Sequence, residues 1–144
     1  MARRAEVRRI GSLLPSSNSV QEADFGSVLP KHLTLHVARM RLTQVEADST
    51  LRIVQEIEAE SRKLADVDVD VIVFAATAPS SRNGIGYDRE LVKRIETASG
   101  KPVLTTNQVS LWHALKIIGA APLDGLGVLL REHLGAKSKV IAAE

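Results

Sequence analysis

Cysteine is absent from the 144 residues. That excludes disulfides, thiolate metal sites and any thiol nucleophile. Aromatics are scarce at 3%, with one Trp, one Tyr and two Phe, which argues against a base-stacking platform for single-stranded nucleic acid. No apolar run approaches the ~18 residues of a membrane span. Several signatures are also missing. Gly84 and Gly86 are not followed by the third glycine of a dinucleotide fingerprint, and no phosphate-loop or G-x-S-x-G pattern occurs. What remains is ordinary for one globular domain: 44% hydrophobic and 25% charged residues.

The net charge of +2 is unevenly placed. Arg3, Arg4, Arg8 and Arg9 stand against Glu6 in the first ten residues, and the rest of the chain has a slight acidic excess. Residues 1–6 read as a solvated basic leader. They have no apolar h-region and so do not read as a secretory signal. The expected location is cytoplasmic, in keeping with the missing cysteine.

The pattern along the chain alternates strands and helices. Residues 7–14 form an apolar run that ends in Pro15-Ser16-Ser17-Asn18, a strand and its turn. Ser19 and Glu22 have capping-box spacing for a short helix to about Leu29, closed by Pro30. Residues 32–40 read as a second strand. Thr43 and Glu46 make another box, and Ala47, Leu51, Val54, Ile57, Ser61 and Leu64 follow as one helical stripe. Residues 69–77 are β-branched and apolar and predict a central parallel strand buried on both faces. Residues 78–87 read as a loop. Asp88 is expected to cap a helix ending at Gly100, residues 102–106 to form a fourth strand, and Asn107 to cap a helix stopping at Gly119. Residues 123–134 suggest a further helix and 139–143 a fifth strand.

This order predicts an α/β three-layer sandwich, flavodoxin-like, with a parallel sheet of four to five strands. Ligands in such sheets bind at the carboxyl ends of the strands. Residues 15–19, 77–87 and 105–108 share that edge and are rich in Ser, Thr, Asn and Gly, a set suited to an anion such as a carboxylate. Ser16, Ser17, Asn18, Thr77 and Asn107 are the candidate binding residues. Tyr87 is the candidate proton donor. Asp66, Asp68 and Asp70 mimic the start of a calcium loop, but Val71 and Thr77 stand where Gly and Glu are required. His32 and His36 have no third ligand in view, so no metal and no cofactor is expected.

Ordered segments carry a resemblance. Arg9-Ile10-Gly11-Ser12-Leu13-Leu14-Pro15-Ser16-Ser17-Asn18, residues 36–41, residues 69–77 with Gly84-Ile85-Gly86-Tyr87, and residues 102–106 together resemble the maleate cis-trans isomerase and arylmalonate decarboxylase branch of the aspartate/glutamate racemase superfamily. The resemblance covers about residues 7–119. It implies a fold of two similar α/β halves with a site between them. It also implies cofactor-independent isomerase or lyase chemistry on small carboxylic acids through an enolate-like intermediate, with one Cys from each half. The first thiol falls at Ala76, and arylmalonate decarboxylases also do without that one. The second is missing here too, so thiol routes are closed and decarboxylation is the chemistry least excluded. The length fits one half: a half-domain over 7–120 and a C-terminal segment over 121–144. Residues 107–115 and 127–134 look more like the end of the family's second half. The alternative is a non-catalytic carboxylate-binding or self-assembling half-domain. The expected partners are a small carboxylate and a second copy, with no nucleic acid and no membrane. The Trp112, Leu115 and Ile118 stripe and residues 126–134 are the expected dimer face.

Overall fold

The computed structural model describes residues 7–42, 47–78, 86–121 and 128–132, with the side chains of 47–51 and 128 left out. The leader, the Thr43–Glu46 box, the Gly84–Ile85 pair and the proposed fifth strand lie outside the described residues. The elements run β1 (Arg8–Pro15), α1 (Gln21–Val28), β2 (Leu33–Met40), α2 (Ala47–Asp66), β3 (Val71–Phe74), α3 (Tyr87–Ser99), β4 (Val103–Thr105), α4 (Thr106–Ile118) and α5 (Val128–Glu132). The four strands form one sheet in the order β2-β1-β3-β4. All pairs are parallel, with Ile10 opposite both Leu35 and Val71, and Val73 opposite Leu104. This is the flavodoxin-like order, in which the chain reverses direction between β1 and β3.

One face of the sheet carries most of the core. Ile53, Val54, Ile57 and Leu64 of α2 and Leu91, Val92 and Ile95 of α3 pack with Leu13, Met40, Ile72, Phe74, Ala76 and Val103. The α2 stripe forms because its apolar residues recur every three or four positions. Its one polar member, Ser61, is buried but donates to the Ile57 carbonyl one turn back. Gly11 lets β1 meet this layer closely, since a Cβ there would stand 3.2 Å from Leu64 and Val69 side-chain atoms.

The other face is thinner than the sequence pattern predicts. Ser12 and Leu14 are buried, and the Ser12 hydroxyl donates to Gln21 Oε1 of α1 at 2.6 Å. Val71 and Val73 are only half-buried, so β3 is not enclosed on both sides. It is also shorter than residues 69–77, and among the described residues α1 buries none of its own. α4 and α5 lie against β4 and each other.

Several helix starts differ from expectation. The Asn18 side chain, not Ser19, caps α1, accepting from the Val20 and Gln21 amides at 3.0 Å. Glu22 pairs instead with Arg39. Asp88 lies inside the first turn of α3, whose N-cap is Gly86 at φ +89°, a left-handed position that suits glycine. Thr105, not Asn107, caps α4. Its hydroxyl sits one residue before the helix, where it reaches the Gln108 amide at 3.4 Å. Gly100 and Gly119 end α3 and α4 in left-handed conformations, as their sequence positions imply.

Candidate functional site

The carboxyl ends of β1, β3 and β4 bring the three polar loops to one edge. β1 ends at Pro15, and residues 16–18 follow. The Ser16 hydroxyl is committed to the backbone, accepting from the Leu42 N–H at 3.0 Å and donating to its carbonyl at 3.2 Å. It ties the ends of β1 and β2 together. Ser17 is exposed. The Asn18 Oδ1 is used up as the α1 cap, which leaves its amide nitrogen as the group to offer a ligand.

Across the reversal point, β3 leads into Ala76 and Thr77. Ala76 is 5% exposed and belongs to the core layer, whereas Thr77 is exposed. Thr77, Thr105, Thr106 and Asn107 surround a notch whose floor is Phe74 and Ala76. Its volume is about 10 Å³, room for one water molecule at most. Thr105 is buried and its hydroxyl also donates to Gln108 Oε1 at 3.3 Å, so it shapes the wall. Thr106 and Asn107 are exposed in the first turn of α4. Backbone N–H groups there have no partner within the helix and favour negative charge.

The structure thus groups Ala76, Thr77 and Asn107, with Ser16, Ser17 and Asn18 on the loop beyond β1. Tyr87 is placed apart from the notch: its ring is half-buried and packs against the core layer at the start of α3. Thr105 and Thr106 were not singled out by sequence. The signal was present in the Thr-Thr-Asn run at a strand end.

The aspartates that resemble a calcium loop point to different jobs. Asp70 accepts from the Arg9 amide at 2.8 Å and from Arg8 Nη1 at 3.2 Å, which locks β3 to β1. Asp68 pairs with Lys101 at 2.8 Å. Trp112 and Leu115 are half-buried, and Lys116 lies 4.6 Å from the Trp112 ring centre. Leu129 and Leu130 are buried within the fold, so that part of the expected dimer face is not available. The exposed apolar stripe of α4 is Leu111, Ala114 and Ile118 instead.

A parallel sheet in this order, with hydroxyls and an amide gathered at the strand ends, places its polar groups at the edge where open α/β sheets bind ligands. The family model for arylmalonate decarboxylase matches residues 10–124, and the chain belongs to that family. It is similar to maleate isomerase from Pseudomonas putida, 30% identical over 113 residues that cover 70% of this chain and 45% of that protein. Maleate isomerase from Nocardia farcinica is 26% identical over 127 residues, covering 85% and 48%. Among solved structures, the maleate isomerase Iso from Pseudomonas putida S16, in a variant with maleate, superposes with a TM-score of 0.67 at 26% identity. That superposition covers 78% of this chain and 50% of that one. An arylmalonate decarboxylase mutant in a liganded form gives a TM-score of 0.67 at 18% identity over 83% and 53%, a likeness of fold. The chain spans about half the length of the curated relatives it matches. No described helix is long and apolar enough to cross a membrane.

Proposed function

We propose that the chain binds a small mono- or dicarboxylic acid at the strand-end notch, with decarboxylation without thiols as the chemistry open to it. The observation that carries this reading is the gathering of Thr77, Thr106 and Asn107 over Ala76 in a member of the arylmalonate decarboxylase family. The hydroxyls, the Asn107 amide and the first-turn N–H groups of α4 hold one carboxylate. Ser17 and the Asn18 amide nitrogen stand across the reversal point for a second oxygen pair.

Decarboxylation needs no base to begin. The bond between the α-carbon and the departing carboxylate breaks, CO₂ leaves, and the electron pair stays as an enolate whose oxygens the same donors stabilise. Water then returns one proton to carbon. Two-thiol racemisation and thiol addition to a double bond are closed to a chain without cysteine. A notch of about 10 Å³ supplies only one wall. A homodimer is the form in which it gains a second wall, and the cytoplasm is the expected setting.

Thermal melting with maleate, malonate and an aryl-substituted malonate tests binding. The expected result is a rise in Tm with the diacids and none with the matching diamides, abolished in Asn107→Ala and Thr106→Ala. Product analysis on the same acids tests turnover. Ala76→Cys tests the geometry, because a thiol placed over the bound acid raises turnover if Ala76 marks the reacting position. No melting shift with any diacid would remove the carboxylate reading and leave a self-assembling domain.

A further inference from the structure

We propose that the outer edge of β2 is a self-pairing surface, occupied by β2 of a second copy in antiparallel register centred on Val37. β2 ends the sheet. The Arg8 N–H donates to the His32 carbonyl and the Ser16 N–H to the Met40 carbonyl. Successive residues of a strand direct their backbone groups to opposite sides. Thr34, His36, Ala38 and Met40 therefore serve β1, and Leu35, Val37 and Arg39 turn their N–H and C=O groups outward. The Leu33 N–H is already taken by the Pro30 carbonyl. Among the described residues nothing pairs with the three that follow.

This edge has almost none of the usual guards against pairing. All eight residues match β1 without a bulge, and none is Pro or Gly. Its one full charge is exposed but already committed within the chain: the Arg39 guanidinium donates to the Ser16 and Asn18 carbonyls and pairs with Glu22. The opposite edge, β4, has three residues and is flanked by α4 and α5.

The surface is complementary to itself. Leu35, Val37 and Arg39 are evenly spaced about Val37. A two-fold axis there sets Val37 against Val37 of the second copy and Leu35 against Arg39 of the second copy. On the other face it sets His36 against Ala38 of the second copy, whose methyl group leaves room for the imidazole. Beside the strand lies a groove of about 500 Å³ formed between residues 35–39 of β2 and Glu60, Lys63, Leu64 and Val67 on the α2 side. The opposite charges of Glu60 and Lys63, one turn apart and 2.5 Å from each other, exchange partners across the axis. An unrelated extended peptide has no such match built in. The antiparallel arrangement points the two strand-end sites in opposite directions, so this contact is separate from one that would close the notch.

Sedimentation velocity on the intact chain without ligand is expected to give twice the mass found when the β2 edge is blocked. Val37→Pro removes the N–H on the axis at a position where edge strands accept proline, and Val37→Lys puts two like charges there. Both are expected to halve the mass while circular dichroism stays unchanged. Val37→Cys introduces a single thiol into a chain that has none. Hydrogen-bonded antiparallel partners have Cα atoms about 5.5 Å apart, within disulfide reach, so mild oxidation should give a covalent dimer. Arg89→Cys, exposed on α3, should not. Amide exchange of Leu35, Val37 and Arg39 should be slow in concentrated solution and at least tenfold faster on dilution. A monomer at millimolar concentration overturns the proposal, as does a mass unmoved by either Val37 variant. So does equal protection of those amides at every concentration, which would mean that the chain covers its own edge.

Discussion

Gly11 is the residue whose replacement tests the packing most sharply. A Cβ at 3.2 Å from Leu64 and Val69 is too close for comfort, and both neighbours are themselves buried in the core. Gly11→Ala is expected to cost about 1–3 kcal/mol by overpacking, read as a lower urea midpoint with an unchanged slope. His36 gives a second residue-level prediction. Burial first, and the nearby Arg9 second, hold its pKa below the ordinary imidazole value. The folded state therefore keeps it neutral where the unfolded state, near an ordinary value of about 6.5, takes up a proton. The unfolded state binds more protons in that window, so stability rises with pH across it. Tm should fall between pH 7.5 and 5.5, and His36→Gln should flatten that slope. At this scale the candidate site was only partly legible. Ser16 and Asn18 are polar residues at the correct strand end, but their oxygens serve Leu42 and the α1 amides. Sequence shows a polar side chain and not whether a nearer backbone group has claimed it.

At the scale of elements, local rules worked where the pattern was long. The 20-residue α2 has a stripe that no strand period can imitate, and it packs as that stripe predicts. Ile57, fully buried at its centre, should cost about 2–5 kcal/mol on replacement by Ala, measured by chemical denaturation. Short elements were harder to place. α1 has eight residues and buries none of them, so Asn18, one residue before Ser19, won its start. β3 reads as a strand over residues 69–77, yet the strand formed is only Val71–Phe74. Hydrophobicity marks what is buried, and Val69 and Ala76 are buried outside the strand itself. Gly100, at φ +67°, is the clearest stop. Gly100→Ala should lower stability by about 1–2 kcal/mol, visible as a drop in Tm.

Across the whole molecule, the fold class followed from the order of elements, and the flavodoxin-like strand order agrees with it. Chain length relative to the family was the second legible fact, since the curated relatives are about twice as long. What the order did not reveal is the imbalance between the two faces of the sheet. Counting helices says nothing about how much area each one covers. α4 illustrates this: Leu111 and Ile118 are 43% and 70% exposed. Ile118→Glu should leave the stability of a single chain within about 0.5 kcal/mol of the parent, while a core change such as Leu130→Ala should not.

β1 pairs with β2 on one side and with β3 on the other, and this sets a timetable. It is synthesised before its two partners, and Leu13 meets Phe74 only after the whole of α2 has been made. A parallel sheet holds no hairpin to close early, so loop-closure entropy comes before reward at each step. Refolding should therefore be limited by the arrival of β3 at β1. Leu13→Ala should slow refolding more than it speeds unfolding, whereas Leu130→Ala, at the far edge, should do the reverse.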